Sequence, residues 1–412
     1  MTGNALHQLA SITNLRHEWD EFWKKAKRQT TKGVDGVSPT DFAKNLTVNL
    51  ETIRRALLEG YQFSPLIALP FPKPNGKERI ICVPTVADRL VQRAIGSRLR
   101  RYHDLLRINN DGSFGFLAGT KNKPKGVKAA RDYAIALRRK FPYAYKSDIT
   151  SFFDSIPRND LGAIVDQSVP TRSLRDLIKG VMACEISASR PEVERKVEAA
   201  QIRRGKGVRQ GMPLSPFFAN LILRDFDREL LKKGYKLVRY ADDFLVLANS
   251  KEECLEIDSL ARNLLSSQRF EIPTLDAENS KTQIRDPNEA VDFLGLSLEP
   301  SGDGEYQLAF TDKQLDAIKR KLYRYKDFDE VKRNRLDIST LGKTLDVAVT
   351  GYRAAYPSNL VSNFARLEDI LSEAKATIFG GIFNKLFGQG SLRNLSPDHR
   401  AFLCLNSTEL KK

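Results

Sequence analysis

The sequence predicts an α+β fold, and three observations carry the prediction. Residues 236–247, KLVRYADDFLVL, are two apolar, β-branched and aromatic runs interrupted by the adjacent acids Asp242 and Asp243, a pattern that reads as two short strands and a tight turn. Residues 143–148 form a second strand-like run that also ends in a carboxylate, Asp148. Beyond residue 312 the pattern changes. Apolar residues recur at helical spacing at Leu315, Ile318, Leu322 and Tyr325, and the same spacing continues through 341–356 and 361–379. Hairpins before a helical C-terminal stretch make an α+β arrangement with antiparallel strands.

The other elements follow in chain order. Residues 5–28 place Leu6, Leu9, Ile12, Leu15, Trp19, Phe22 and Trp23 on one helical face, and 41–58 reads as the next helix. Residues 66–81 alternate apolar and basic residues around Asn75-Gly76, a strong hairpin signal. Its tip carries Lys73, Lys77 and Arg79, cations that suit a triphosphate; an edge strand guarded by lysine is the alternative. Residues 84–101 read as helix. Glycines and aromatics fill 109–119, and Lys121, Lys123, Lys125 and Lys128 follow as an expected backbone-tracking patch. Helix is expected over 158–169 and over 171–203, where the sequence says little. A basic loop at 203–214 leads into a helix starting near Ser215, and 252–267 is amphipathic. Residues 291–296 read as a strand with one glycine.

Length and charge bound the function. At 412 residues the chain has room for about two or three domains. Lys and Arg number 67 against 51 Asp and Glu, a net charge of +16, which favours a polyanionic partner, nucleic acid before membrane. Cys82, Cys184, Cys254 and Cys404 are far apart without Cys-x-x-Cys spacing, so neither a zinc ribbon nor a disulfide framework is expected, in keeping with a reducing cytoplasm. The first residues lack a basic region followed by an apolar core, and no apolar run approaches the roughly 18 residues of a membrane span. A cytoplasmic protein with no membrane partner is expected.

Adjacent carboxylates at a hairpin tip repel each other, so Asp242 and Asp243 call for protonation of one or for a cation that offsets both. A solvated turn is the plain alternative. The close flanks of Tyr240 and Phe244, and the matching context of Asp148, favour a divalent metal.

At these residues the chain resembles the reverse transcriptases of the bacterial, group II intron-like lineage. YADD at 240–243 is similar to the family's active-site tetrad, and Asp148 with Phe152-Phe153-Asp154 to its first catalytic block. Further matches run in order over roughly residues 30 to 300: 32–38, Asp88 with Arg89 and Gln92 in a fingers block bordering the template, 109–119, Gln210-Gly211 with Leu214-Ser215-Pro216, Lys281-Thr282, and Phe293-Leu294-Gly295. The resemblance implies a right-hand polymerase with an antiparallel palm sheet, mixed fingers and a helical thumb. It implies an N-terminal helical extension at 1–30, fingers with part of the palm at 31–140, the first catalytic block of the palm at 141–160, a fingers insertion at 161–205, palm at 206–304 and thumb at 305–412. In the second block, small residues would let the template pass close to the backbone.

The same resemblance implies an RNA-directed DNA polymerase. Asp148, Asp242 and Asp243 would be the catalytic and metal-binding residues, holding two Mg²⁺ ions, with Mn²⁺ as the alternative. Lys73, Arg79, Phe153, Gln210 and Lys281 would bind the nucleotide, Phe153 as a steric gate against the ribose 2′-hydroxyl and Lys281 at the departing pyrophosphate. Tyr240, Phe293, Leu294 and Gly295 would contact the primer. The partners implied are an RNA template, a DNA primer or product and deoxynucleotide triphosphates. No nuclease with cysteine pairs, RNase H or integrase pattern follows the thumb, so the expected role is copying a dedicated structured non-coding RNA in antiphage defence. The alternatives are a maturase-like RNA-binding protein, a domesticated intron enzyme without a dedicated template, and an RNA-dependent RNA polymerase, the last disfavoured by the bulk of Phe153.

Overall fold

Strand pairing sets the frame of the site. In the computed structural model, which describes residues 3–27, 29–72, 78–278, 280–302, 304–356, 361–389 and 396, the chain forms two compact units. The first comprises Met1–Leu137 and Phe141–Ile284, the second Arg138–Lys140 and Arg285–Lys412.

In the first unit, β1 (Ile67–Pro72) and β2 (Glu78–Val83) pair antiparallel as the hairpin signal requires. The tip of this hairpin, with Lys73 and Lys77, lies outside the described residues. β3 (Tyr143–Asp148), β4 (Lys236–Tyr240), β5 (Asp243–Ala248) and β6 (Gln283–Arg285) form one sheet in the order β4-β5-β3-β6, with β5 antiparallel to both neighbours. From Phe244 to Ala248 every residue of β5 is buried, as the run of apolar residues demands of a central strand. The helix Ser215–Lys232 packs on β4, and Lys251–Ser267 packs on β3 and β5. Phe226 and Tyr145 both meet the ring of Phe244, at 5.2 and 6.1 Å between centroids.

Several expected helices are divided. The 5–28 stretch is two helices, Gly3–Ala10 and Ile12–Ala26, because Ser11 caps the second by accepting from the Asn14 N–H. Pro39–Lys44 opens on a Ser38–Asp41 capping box and ends at Asn45, after which Leu46–Glu59 begins. The 171–203 stretch contains Arg172–Met182 and Pro191–Ala199, with an extended piece between them that runs beside β1: Leu66 donates to the Glu185 carbonyl and accepts from the Ser187 N–H.

In the second unit, β7 (Val291–Phe293), β8 (Leu296–Gly302) and β9 (Glu305–Ala309) form an antiparallel sheet. The expected single strand at 291–296 is thus a hairpin: Leu294 and Gly295 have φ of 52° and 83°, the left-handed pair that a two-residue turn requires. The helical part starts at Asp312, after β9, and comprises Asp312–Tyr323, Phe328–Arg333, Ile338–Ala355 and Phe364–Phe387. Among the described residues no helix is long and apolar enough to cross a membrane.

Candidate active site

Register brings the acids together. Asp148 ends β3 and Asp243 begins β5, and the two are direct partners across the β3–β5 pair, while Asp242 sits in the β4–β5 turn beside them. The Ile149 N–H donates to the Asp242 carbonyl at 3.3 Å, which ties the turn to the end of β3. Three acidic residues therefore lie at one end of the sheet, and two ammonium groups stand near them. The Lys281 Nζ pairs with Asp148 Oδ2, and the Lys146 Nζ stands 4.0 Å from Asp243 Oδ1. That Asp243 oxygen is buried and makes no hydrogen bond.

The electrostatics match this geometry. Burial pushes the Asp243 carboxyl up to about 6, with Lys146 opposing the shift and Asp242 and Asp148 adding to it. Burial also raises Asp242; Asp148 adds to that shift, and Lys281 and Arg79 oppose it. An excess of poorly solvated negative charge is what a cation site looks like before it is filled, and carboxylate oxygens are the donors a hard divalent ion prefers. As the side chains lie, no group of three or more His, Cys, Asp or Glu among the described residues is gathered closely enough to hold a metal. The donor chemistry and backbone placement fit the ion, which Asp148, paired here with Lys281, would help to hold.

The other expected site residues have distinct surroundings. Phe153, second in the short helix Phe152–Ser155, is half-buried with its ring 5.3 Å from Phe152, and its carbonyl accepts from the Val208 N–H. Gln210 accepts through its carbonyl from the Cys82 N–H at 2.7 Å, so the basic loop is fastened to β2. The Tyr240 ring lies 5.2 Å from that of Phe116. Arg79 is exposed on β2 opposite Phe71. Phe293, Leu294 and Gly295 belong to the second unit, at the β7–β8 turn, and Lys73 lies outside the described residues.

Other expected residues meet protein groups. Asp88, Arg89 and Gln92, expected in a block bordering the template, are all buried, Asp88 accepting from the Tyr61 hydroxyl and the Ser64 N–H, and Gln92 from the Leu214 N–H. In the expected lysine patch after residue 119, Lys125 is held by the Asn110 and Ser113 carbonyls, while Lys123 and Lys128 stay exposed and pair at the surface with Asp111 and Asp132. The glycines of 109–119 are explained by protein packing. A Cβ at Gly115 would lie 2.8 Å from the Ala241 nitrogen, and one at Gly112 would lie 3.1 Å from the Leu237 side chain.

Sequence reasoning missed Lys146 and Arg239. Lys146 lies two residues before Asp148, hence on the same face of β3, a signal the period-2 rule offers. Arg239 is a charge inside the apolar run of β4, which should have demanded a buried partner.

Comparison with known proteins agrees with this arrangement. Residues 71–298 match the family described as reverse transcriptase (RNA-dependent DNA polymerase), a range that includes β2 to β6 and all three acids. The chain belongs to the reverse transcriptase family and is an RNA-directed DNA polymerase. It is 26% identical to Protein YkfC of Escherichia coli (strain K12), over 71% of this chain and 82% of that protein. Among solved structures it is similar to a partial Cas6-RT-Cas1–Cas2 complex, at 22% identity and a TM-score of 0.36, covering 63% of this chain and 42% of that one. It is also similar to apo telomerase from Candida tropicalis truncated from its C-terminal domain, at 16% identity and a TM-score of 0.35, covering 62% and 58%.

Proposed function

We propose that Asp148, Asp242 and Asp243 hold the metal ions of this polymerase, two Mg²⁺ with Mn²⁺ as a substitute. The observation that carries this reading is the direct opposition of Asp148 and Asp243 across β3–β5, with an unbonded buried oxygen on Asp243. When bound, the ions would supply Lewis acidity to the primer 3′-hydroxyl and to the triphosphate. The chain's own residues bind and orient. Arg79 and Lys73 hold phosphates, Gln210 borders the incoming nucleotide, Phe153 excludes the 2′-hydroxyl, and Lys281 is released from Asp148 to the pyrophosphate side. Tyr240 and the Phe293-Leu294-Gly295 turn contact the primer, and the helices after Asp312 act as a thumb. The test is primer extension on an RNA template. Asp242→Ala and Asp243→Ala should abolish synthesis while the fold and RNA binding are retained, and undiminished synthesis would sink the reading.

The finer reading is a group II intron-like enzyme that copies a dedicated structured RNA in antiphage defence. A net charge of +16 supports a folded RNA partner, as do the exposed Arg203, Arg204 and Lys206 of the first unit and Lys313, Arg320 and Lys321 of the second. A dedicated template predicts one dominant co-purifying RNA, cDNA of one sequence family, and phage protection lost in Asp242→Ala. Heterogeneous bound RNA with unchanged phage sensitivity would remove the defence role and leave the polymerase.

A further inference from the structure

We infer that Arg239, clamped by Asp227, is a positioning residue that sets the Asp242–Asp243 turn. It rests on the reading that these acids hold the metal. Arg239 lies in β4, three residues before Asp242, and its side chain and that of Asp227 on the helix Ser215–Lys232 are 0% and 1% exposed. Nε and Nη2 each donate at 2.6 Å to one oxygen of Asp227. Nη2 also donates to Ser113 Oγ at 3.0 Å, and Asn220 Oδ1 accepts from both Nη atoms at 3.3 Å. The remaining Nη1 bond goes to the Ala241 carbonyl at 2.9 Å. The whole guanidinium fork is thus used, and one of its bonds acts on the peptide directly before Asp242.

That peptide needs holding. Ala241 has φ of 58°, a left-handed conformation that an alanine adopts only under constraint. The mutual repulsion of the acids that follow adds to the demand. The other side of the turn is fixed by the 110–115 segment. The Arg239 N–H donates to the Gly112 carbonyl and the Phe114 N–H to the Arg239 carbonyl, at 2.7 and 2.8 Å. Asn220 Nδ2 holds the Gly115 carbonyl at 2.8 Å, and Asn110 Nδ2 reaches Asp227 Oδ2 at 3.0 Å. Gly115 then lies against Tyr240 and Ala241 where no Cβ fits. One buried fork therefore joins a helix, a strand, a loop and the turn. A charge pair needed only for stability could be exchanged for apolar residues of equal volume; a fork that bonds the turn carbonyl cannot, because site geometry tolerates displacements of only about 0.5 Å.

The experiment compares Arg239→Lys, Gly115→Ala and Asp242→Ala in the full chain, reading steady-state extension on an RNA template, Mn²⁺ affinity by electron paramagnetic resonance, affinity for an RNA–DNA hybrid, and melting temperature. Arg239→Lys keeps the charge and loses the fork. It should lower kcat by about tenfold or more while the deoxynucleotide KM moves less than about threefold. Mn²⁺ binding should weaken several-fold with hybrid affinity unchanged. Gly115→Ala leaves the ion pair intact and pushes the Tyr240–Ala241 backbone, so it should reproduce the same split. Wild-type kcat and Mn²⁺ affinity in Arg239→Lys, or in Gly115→Ala if the lysine variant does not fold, would overturn the proposal. Wild-type synthesis in Asp242→Ala would overturn instead the metal-site reading beneath it.

Discussion

Asp243 shows how one residue carries both the chemistry and a cost in stability. Its carboxyl, pushed up to about 6 by burial, is harder to ionise in the folded chain than in the unfolded one. The stabilisation that follows is full below an unfolded value of about 4 and is lost as pH rises through about 6. In the absence of divalent cations, Asp243→Asn should therefore raise the melting temperature at pH 7.5, by the equivalent of about 3 kcal/mol, and the gain should vanish near pH 4. A pH-independent difference in calorimetry would show that the burial of Asp243 is not the cause. Phe153 makes a separate claim. If its half-buried ring is the sugar gate, Phe153→Val should raise the ratio of ribonucleotide to deoxynucleotide incorporation by at least about tenfold. An unchanged ratio would assign the ring to packing against Phe152 alone.

At the scale of elements, the stretch 171–203, whose sequence says so little, buttresses the strands that carry Arg79. Its extended piece lies beside Leu66, and Lys196 pairs with Glu78 at 3.1 Å. Glu185 takes Arg209, Arg158 and the Gly205 N–H together, so the basic loop and the helix Arg158–Ser168 share one carboxylate. Glu185→Ala would leave the Arg209 guanidinium, 1% exposed, without its counter-ion. A loss of about 3 kcal/mol in denaturant unfolding is expected, and a loss under about 1 kcal/mol would mean the loop carbonyls suffice. Arg79→Gln should act differently, because its side chain is exposed and its proposed partner is the triphosphate. The deoxynucleotide KM should rise several-fold while hybrid affinity holds, and equal weakening of both would make β2 a general nucleic-acid contact.

For the whole molecule the governing quantity is charge. With 67 basic residues against 51 acidic ones, RNA affinity should fall steeply with salt, by at least about tenfold between 50 and 200 mM, as condensed counterions are displaced. A filter-binding series that stays flat over that range would mean the surplus is not used for RNA. Folding topology adds a second global feature. The strands of the sheet that carries the acids come from residues as distant as 143 and 285, so the site is built from contacts far apart in sequence.

The sequence by itself determined the α+β class, the hairpins at 66–81 and 236–247, and the carboxylate-tipped strand at 143–148. Each of these is written in local periodicity and turn chemistry, which depend on neighbours a few residues away. The motif string from Asp148 to Lys281 likewise pointed to a reverse transcriptase without reference to any contact. Only tertiary structure decided which residues meet. Nothing local reveals that Asp148 opposes Asp243, that Lys281 lies on Asp148 and Lys146 near Asp243, that Asp88 and Gln92 are core, or that Gly115 is small to admit the Ala241 backbone. Arg239 is the plainest case. Its charge in an apolar strand announced that a partner must exist, but the partner, Asp227, sits on a helix and the bonded carbonyl sits beyond a turn. Electrostatics and packing act through space, and the register of strands and the seating of helices choose which distant residues share that space.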